Sequence, residues 1–307
     1  MIGERVSIVV LTFNRRDELL RTLSQLARID GSVRIVVVDN ASTDDTVQAV
    51  AQRHPRVDIL RLPRNVGAAG RNAGALACTT RYVAFCDDDT WWLPESIACA
   101  ADALDRHPTL AAVTARVLVG EMGREDPTNA RMASSPLPNT LGVRGTELLG
   151  VLGGACMMRR DAFLAVGGYD PRLFLGGEEA LLATDLMSAG WRMAYVPEAV
   201  VCHYPSGTRD VVVRRRLARR NALWFAWLRR PWRRVLKATR DWWTQSRGDA
   251  TPWRDAIAAL SGLPWIIRAR RRVPSPVERA LATIEAFYAD DDSRRAPRVA
   301  ASPAETR

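Results

Sequence analysis

Residues 82–89 read Tyr82-Val83-Ala84-Phe85-Cys86-Asp87-Asp88-Asp89, a short apolar run that ends in three adjacent acids. A run of this length bounded by polar residues suits a buried strand. Such a strand would deliver the three carboxylates together to one edge of a sheet. Adjacent like charges raise each other's pKa unless something positive compensates. Oxygen donors suit hard divalent ions, and Mg2+ prefers one or two carboxylates plus substrate phosphates. The competing reading is an acidic turn that caps a helix beginning near Trp91-Trp92-Leu93-Pro94-Glu95, because Asp is a favoured N-cap residue.

Outward from this stretch, β-branched runs alternate with helical segments. The pattern predicts a strand over Val6–Leu11, a helix from Arg16 to about Arg28 and a strand over Val33–Val38. It continues with a helix over Thr43–Arg53, a strand over Val57–Leu62, a helix over Gly70–Ala77 and a strand over Arg81–Cys86. Such alternation implies right-handed βαβ units, hence an α/β, Rossmann-like, mostly parallel sheet flanked by helices. Ligands of such sheets lie at the carboxyl ends of the strands. Four polar motifs fall there in succession: Thr12-Phe13-Asn14-Arg15, Asp39-Asn40-Ala41-Ser42, Arg64-Asn65-Val66-Gly67 and the triple Asp.

The chain has 307 residues, 47% of them hydrophobic, enough for one large domain or one domain with an elaboration. Its net charge of +10 is unevenly spread, with 18 basic and 4 acidic residues between 209 and 272, so the remainder is net acidic. That distribution argues against a chain built throughout to bind nucleic acid. Cys78, Cys86, Cys99, Cys156 and Cys202 are widely spaced in apolar surroundings and read as reduced core residues. We expect no leader peptide and no membrane span, and therefore a cytoplasmic chain, peripheral at most on the inner face of a membrane.

The ordered motifs TFNR, VVVDNASTDDT, RNVGAAGRNAG and FCDDDTWW resemble the nucleotide-binding half of family 2 glycosyltransferases. Gly153-Gly154-Ala155-Cys156, Val166-Gly167-Gly168-Tyr169-Asp170, Gly177-Glu178-Glu179 and Val196-Pro197-Glu198 through His203 follow in the family's order, so the resemblance covers roughly residues 4–205. It implies a GT-A fold and transfer of a hexosyl or deoxyhexosyl group, with inversion, from a nucleotide diphosphate sugar donor to an acceptor hydroxyl.

By this resemblance Asp87 and Asp89 are the DXD-type metal and ribose-side carboxylates for Mg2+ or Mn2+. Asp89 is the direct ligand and Asp88 orients the loop at the nucleotide-sugar site. His203 matches a position that completes the metal sphere in some relatives, with a structural hydrogen bond as the alternative. Asp39 would accept from the base or ribose, and Phe13 would stack on the base or join the core. Thr12, Asn14, Arg15, Asn65 and Gly67 belong to the same strand-end loops, and Arg71 would reach the pyrophosphate. The stretch Gly67-Ala68-Ala69-Gly70 is neither a dinucleotide fingerprint nor a Walker loop. Inversion needs a general base, and the family's acidic pair falls on Glu178-Glu179, with Glu179 at the base position. Two departures stand out. Glu179 replaces the usual Asp, and Leu181 occupies a position often acidic in relatives, with Asp185 one turn further on.

The polar stretch between Gly120 and Arg144 is an acceptor loop or a solvated excursion. Beyond residue 205 family likeness ends. We expect a GT-A catalytic domain over 1–205, divided into a nucleotide-sugar half to about 115 and an acceptor half from about 116. A basic amphipathic helical extension would span 206–289, and a disordered tail 290–307. Within the extension Trp232, Val235, Leu236, Thr239, Trp242 and Trp243 recur at helical spacing opposite Arg233, Arg234, Lys237 and Arg240. Residues 209–243 therefore either lie on an anionic membrane surface or pack on the catalytic domain. The acceptor is open among cell-envelope, lipid-linked and secondary-metabolite classes. A catalytically inactive relative and a nucleotidyltransferase on a related sheet are the alternatives to a transferase.

Overall fold

The computed structural model describes residues 1–206, 211–246 and 252–295. After the short helix α1 (Ile2–Arg5), the alternation runs β1 (Val6–Thr12), α2 (Arg16–Leu26), β2 (Arg34–Asp39), α3 (Thr46–Arg53), β3 (Asp58–Arg61), α4 (Gly70–Ala77) and β4 (Tyr82–Asp87). These strands pair in parallel, β2 with β1 and β3, and β1 with β4. The near-continuous apolar sequences of β1, β2 and β4 suit burial on both faces, while β3 is a partly exposed edge strand.

The second half adds β5 (Thr90–Trp92), α5 (Pro94–Arg106), β6 (Leu110–Val119), β7 (Arg124–Glu125), α6 (Pro127–Ala133), β8 (Thr146–Leu148), β9 (Ala155–Arg159), α7 (Arg160–Ala165), α8 (Glu178–Ser188) and β10 (Arg192–His203). One sheet results, in the order β3-β2-β1-β4-β9-β6-β10-β5, with β7 beside β6 and β8 beside β10. β9 enters antiparallel between β4 and β6, while β10 runs parallel to β6. The parallel sheet expected from the alternation thus forms the first half, β1 to β4, and antiparallel pairs are added in the second.

Successive side chains of each strand serve opposite layers. Ile8, Val10 and Val37 join Leu19, Leu23, Ile97 and Leu104 of α2 and α5, whereas Val9, Val36 and Val38 join Ala75, Phe163, Leu182 and Leu186 of α4, α7 and α8. This is the period-2 alternation of a two-sided strand.

The 3-residue segment Thr90–Trp92 is a strand, and α5 begins at Pro94 with Leu93 at its N-cap and no side-chain cap bond. The triple Asp therefore occupies the β4–β5 turn and does not cap α5. The 120–144 stretch is pinned to the sheet: Asn129 accepts from Val117 N–H (2.9 Å) and donates to its carbonyl (2.7 Å), and Glu147 accepts from Leu141 N–H (3.0 Å).

Beyond the sheet, the helices are α9 (Val211–Arg229), α10 (Trp232–Ser246), α11 (Pro252–Leu260), α12 (Leu263–Ala269) and α13 (Ser275–Arg295). Pro231 separates α9 from α10 as a proline should. The tail expected from 290 is helical to Arg295, and its remaining residues, 296–307, lie outside the described residues. The tryptophan stripe is divided. Trp224 is buried with Leu173, Leu181, Leu228 and Ile266, Trp227 packs partly against them, and Val235 is buried. Trp232, Leu236 and Trp243 stay exposed. Trp224 Nε1 donates to the Ala259 carbonyl (2.8 Å), and buried Asn221 donates to the Leu173 (2.7 Å) and Leu175 (3.1 Å) carbonyls. Of the two fates expected for 209–243, α9 therefore takes the packed one, against the segment 173–181, while α10 keeps an exposed apolar side.

Candidate active site

The carboxyl ends of β1, β2 and β4 and the loop before α8 converge on one edge of the sheet. β1 ends at Thr12, whose hydroxyl donates to Asp88 Oδ2 (3.1 Å), and Arg15 donates to Asp88 Oδ1 (2.8 Å) and Asp89 Oδ2 (3.0 Å). Asp88 is thus turned inward, and its backbone carbonyl also accepts from Thr22 (2.7 Å). Burial pushes its carboxyl up to about 7, against the opposing pull of Arg15. It ties the turn after β4 to Thr12, Arg15 and Thr22.

Phe13 is 40% exposed, which removes the core reading for it. Asn14 adopts a left-handed backbone (φ 52°) that Asn tolerates. Its side chain accepts from Thr43 N–H (2.7 Å), so Asn14 joins the β1 and β2 loops. Asp39 is fully buried, accepts from Ser42 N–H (3.1 Å) and lies 3.5 Å from Arg61 Nε. Asn65 accepts from Gly67 N–H (2.9 Å). Gly67 has φ +62°, and a Cβ there would lie 2.0 Å from the Phe174 carbonyl oxygen, so no other residue fits. Ala68 N–H donates to that same carbonyl (2.8 Å), tying the donor loop to the segment before α8.

Arg71 does not project to the surface. Its buried guanidinium pairs with Asp87 Oδ1 and lies 5.7 Å from the Tyr169 ring centroid. Glu179 belongs to the same charge cluster: its Oε1 accepts from Gly153 N–H. Burial, reinforced by neighbouring Glu178, pushes the Glu179 carboxyl up to about 7. Burial likewise raises Glu178. Gly154 backs onto Asp87, where a Cβ would sit 2.6 Å from Oδ2. Three buried atoms of this cluster, Arg71 Nε, Tyr169 Oη and Glu178 Oε2, have no hydrogen-bond partner among the described residues.

Asp89 is buried, with Oδ1 3.7 Å from His203 Nε2 at the end of β10. β10 pairs with β5 at His203 and Thr90, which sets the imidazole beside the acidic turn. Among the described residues no group of three or more His, Cys, Asp or Glu stands preformed as a metal site. The donor chemistry nevertheless suits a hard or borderline divalent ion: carboxylates with one imidazole, close enough for Asp89 and His203 to share one cation.

Asn40, Asn72 and Tyr169 lie in the quoted motifs but carried no expected role. Asn40 donates to the Gly67 carbonyl (2.9 Å) and accepts from Val66 N–H (3.0 Å). Asn72 clamps Tyr169 by donating to its carbonyl (2.8 Å) and accepting from its N–H (2.9 Å). Their position directly after an expected strand end or glycine turn was the available signal. Asp185 is engaged elsewhere, by Arg229 through two bonds (2.6 and 2.8 Å).

The mixed sheet flanked by helices is a GT-A fold. The model of "Glycosyl transferase family 2" matches residues 7–167, and the chain belongs to that family. It transfers sugar from a nucleotide-sugar donor. Among relatives, an N-acetylglucosaminyl-diphospho-decaprenol L-rhamnosyltransferase of Mycobacterium tuberculosis is 30% identical over 230 residues, 64% of this chain and 75% of that protein. A pre-mycofactocin glycosyltransferase of the same organism is 32% identical over 227 residues, 68% of this chain but 45% of its own length. Among solved structures, the mannosyltransferase PcManGT of Pyrobaculum calidifontis, in complex with GDP-Man and Mn2+, aligns over 94% of this chain and 80% of its own. Its TM-score is 0.55 at 21% identity. S. aureus TarS 1–349 aligns over 95% and 91%, with a TM-score of 0.57 at 20% identity. At these identities the structures speak for the fold.

Proposed function

We propose that this enzyme inverts the anomeric centre in one displacement, with Glu179 as general base, and that it glycosylates a hydroxyl of a lipid-linked cell-envelope glycan. The observation that carries the reading is the Arg71 cluster. One buried guanidinium stands between Asp87 of the donor-side turn and Glu179 of the acceptor-side helix. The base and the diphosphate-side carboxylate are thereby held in one fixed arrangement, as single displacement requires. A base with a pKa near 7 is half ionised at neutral pH, suited to taking the acceptor proton.

Asp89 and His203, with Asp87, would hold a divalent ion of the Mg2+ or Mn2+ kind; when bound, such an ion neutralises charge developing on a departing nucleotide diphosphate. Phe13, exposed at the β1 end, offers a face to the base, and Asp39 an acceptor for the base or ribose. The transferred group is of the hexosyl or deoxyhexosyl class. The acceptor class is supported by the relatives, one named for a diphospho-decaprenol substrate and another for a diphosphoundecaprenol. Residues 1–205 form the catalytic unit, and the basic helices serve it from the acceptor side.

The departure at Leu181 has a packing explanation: Leu181 is buried with Trp224 and Leu228 of α9. The test is the product's anomeric configuration by NMR after reaction with a nucleotide sugar of known configuration. Opposite configuration supports the reading, and retained configuration overturns single displacement with Glu179 as base.

A further inference from the structure

Five exposed apolar residues form a single stripe along α11 and α12. Trp253, Ile257, Leu260, Pro264 and Ile267 follow at spacings of 4, 3, 4 and 3, so they share one side of the helical path. Their exposure is large, 58% for Trp253, 61% for Ile257, 55% for Leu260 and 73% for Ile267. The opposite side is occupied: the Ala259 carbonyl accepts from Trp224, Ile266 is buried in the Trp224 cluster, and Gly262 sits against the Trp224 ring. The stripe is therefore presented outward by a rigid seat on α9.

Charge decides the occupant. Asp255 is the one acid between 252 and 272, and it faces inward, 3.5 Å from Arg216 and 3.8 Å from Arg219. Arg254, Arg268, Arg271 and Arg272 are exposed around the stripe, and Arg270 lies 4.4 Å above the ring of exposed Trp232. A second copy of the chain would bring the same positive fringe against itself. No helix among the described residues is long and apolar enough to cross a membrane. A short apolar stripe with a tryptophan and an arginine fringe is the composition that lies in the interface of an anionic bilayer.

We propose that the α11–α12 face docks this enzyme on an anionic lipid surface. The site differs from the 209–243 stripe expected from sequence: α9 is committed to protein contacts, while α10 keeps Trp232, Leu236 and Trp243 exposed, with Trp232 beside Arg270 at the end of α12. α9 also borders the acceptor-side loop, with Gly176 and Gly177 against Ala218 and Asn221. Docking through its outer partners would place the membrane on the flank that receives the acceptor. The proposal does not depend on which sugar is moved.

The test is co-sedimentation of the full chain with vesicles of phosphatidylglycerol and phosphatidylcholine, and with phosphatidylcholine alone. We expect binding to the mixed vesicles only, weakened by salt. Ile257→Ser and Ile267→Ser should each reduce partitioning by about tenfold, since each removes one large buried apolar side chain. Melting temperature should hold within a few degrees, because both side chains lie outside the core. Arg268→Gln with Arg271→Gln should erase the preference for anionic lipid. Absence of wild-type binding, or Ser variants that bind as wild type, overturns the proposal. A wild-type dimer by light scattering that becomes monomeric in Ile257→Ser overturns it in favour of a second copy.

Discussion

With Glu179 as the proposed general base, the pH response of the enzyme should follow its ionisation. Its carboxyl is pushed up to about 7, first by burial and then by Glu178. A general base works only when ionised, so the rate should follow the ionised fraction. With a pKa of about 7, that fraction is about one part in eleven at pH 6, half at pH 7 and about ten parts in eleven at pH 8. kcat/KM should therefore rise about tenfold from pH 6 to pH 8 and level off above it. The assay is nucleotide diphosphate release from the donor sugar, measured across that range with acceptor present and metal fixed. Arg71 opposes the shift, so Arg71→Met should move the inflection upward, and a readout in pH distinguishes this from simple loss of folding. A profile already flat between pH 6 and 8, as a carboxylate with its ordinary pKa would give, refutes the assignment of Glu179 as base.

The remaining predictions concern stability and metal. Trp224→Ala should cost about 3–5 kcal/mol, as for other large buried aromatics. With an unfolding entropy of about 2.1 cal/mol/K per residue over 307 residues, calorimetry should record a Tm lower by about 5–8 °C, whereas an unchanged Tm would show that α9 is not part of the cooperative unit. Asp89→Asn should weaken donor affinity in Mg2+ or Mn2+ and remove its dependence on the ion, read by titration calorimetry with and without chelator. Glu179→Gln should change thermal stability in a pH-dependent way. The folded state raises the Glu179 pKa above 4.5, so its stabilising contribution is full below pH 4.5 and lost as pH rises to about 7. The variant should therefore gain on wild type at pH 8 relative to pH 5.

Much of the first half was legible because β1, β2 and β4 are short apolar runs, largely buried, with acids or hydroxyls where they end. Helix α4 follows the expected Gly70–Ala77 bounds, since glycine turn and cysteine strand lead bracket it. Contacts distant in sequence were not legible. Asp185 reads as a spare acid until Arg229, 44 residues on, closes a bidentate pair around it. Leu181 reads as a lost acid until Trp224 covers it. The tryptophan stripe of α10 has one period, which cannot tell a single apolar partner from two. Packing divided it between α9 and solvent. The same limit applied to Arg71, whose glycine-rich neighbourhood gave no sign of its pairing with Asp87 or of the Tyr169 ring beside it.

The central claim, sugar transfer with Glu179 as base, is tested most directly by comparing wild type and Glu179→Gln in one experiment that reads turnover and donor binding together. Gln keeps the acceptor for Gly153 N–H and the shape of the side chain but cannot take a proton. The account predicts that kcat falls by roughly 10²-fold or more while the Kd for the nucleotide sugar stays within about twofold. Turnover near the wild-type rate with unchanged donor binding would contradict it.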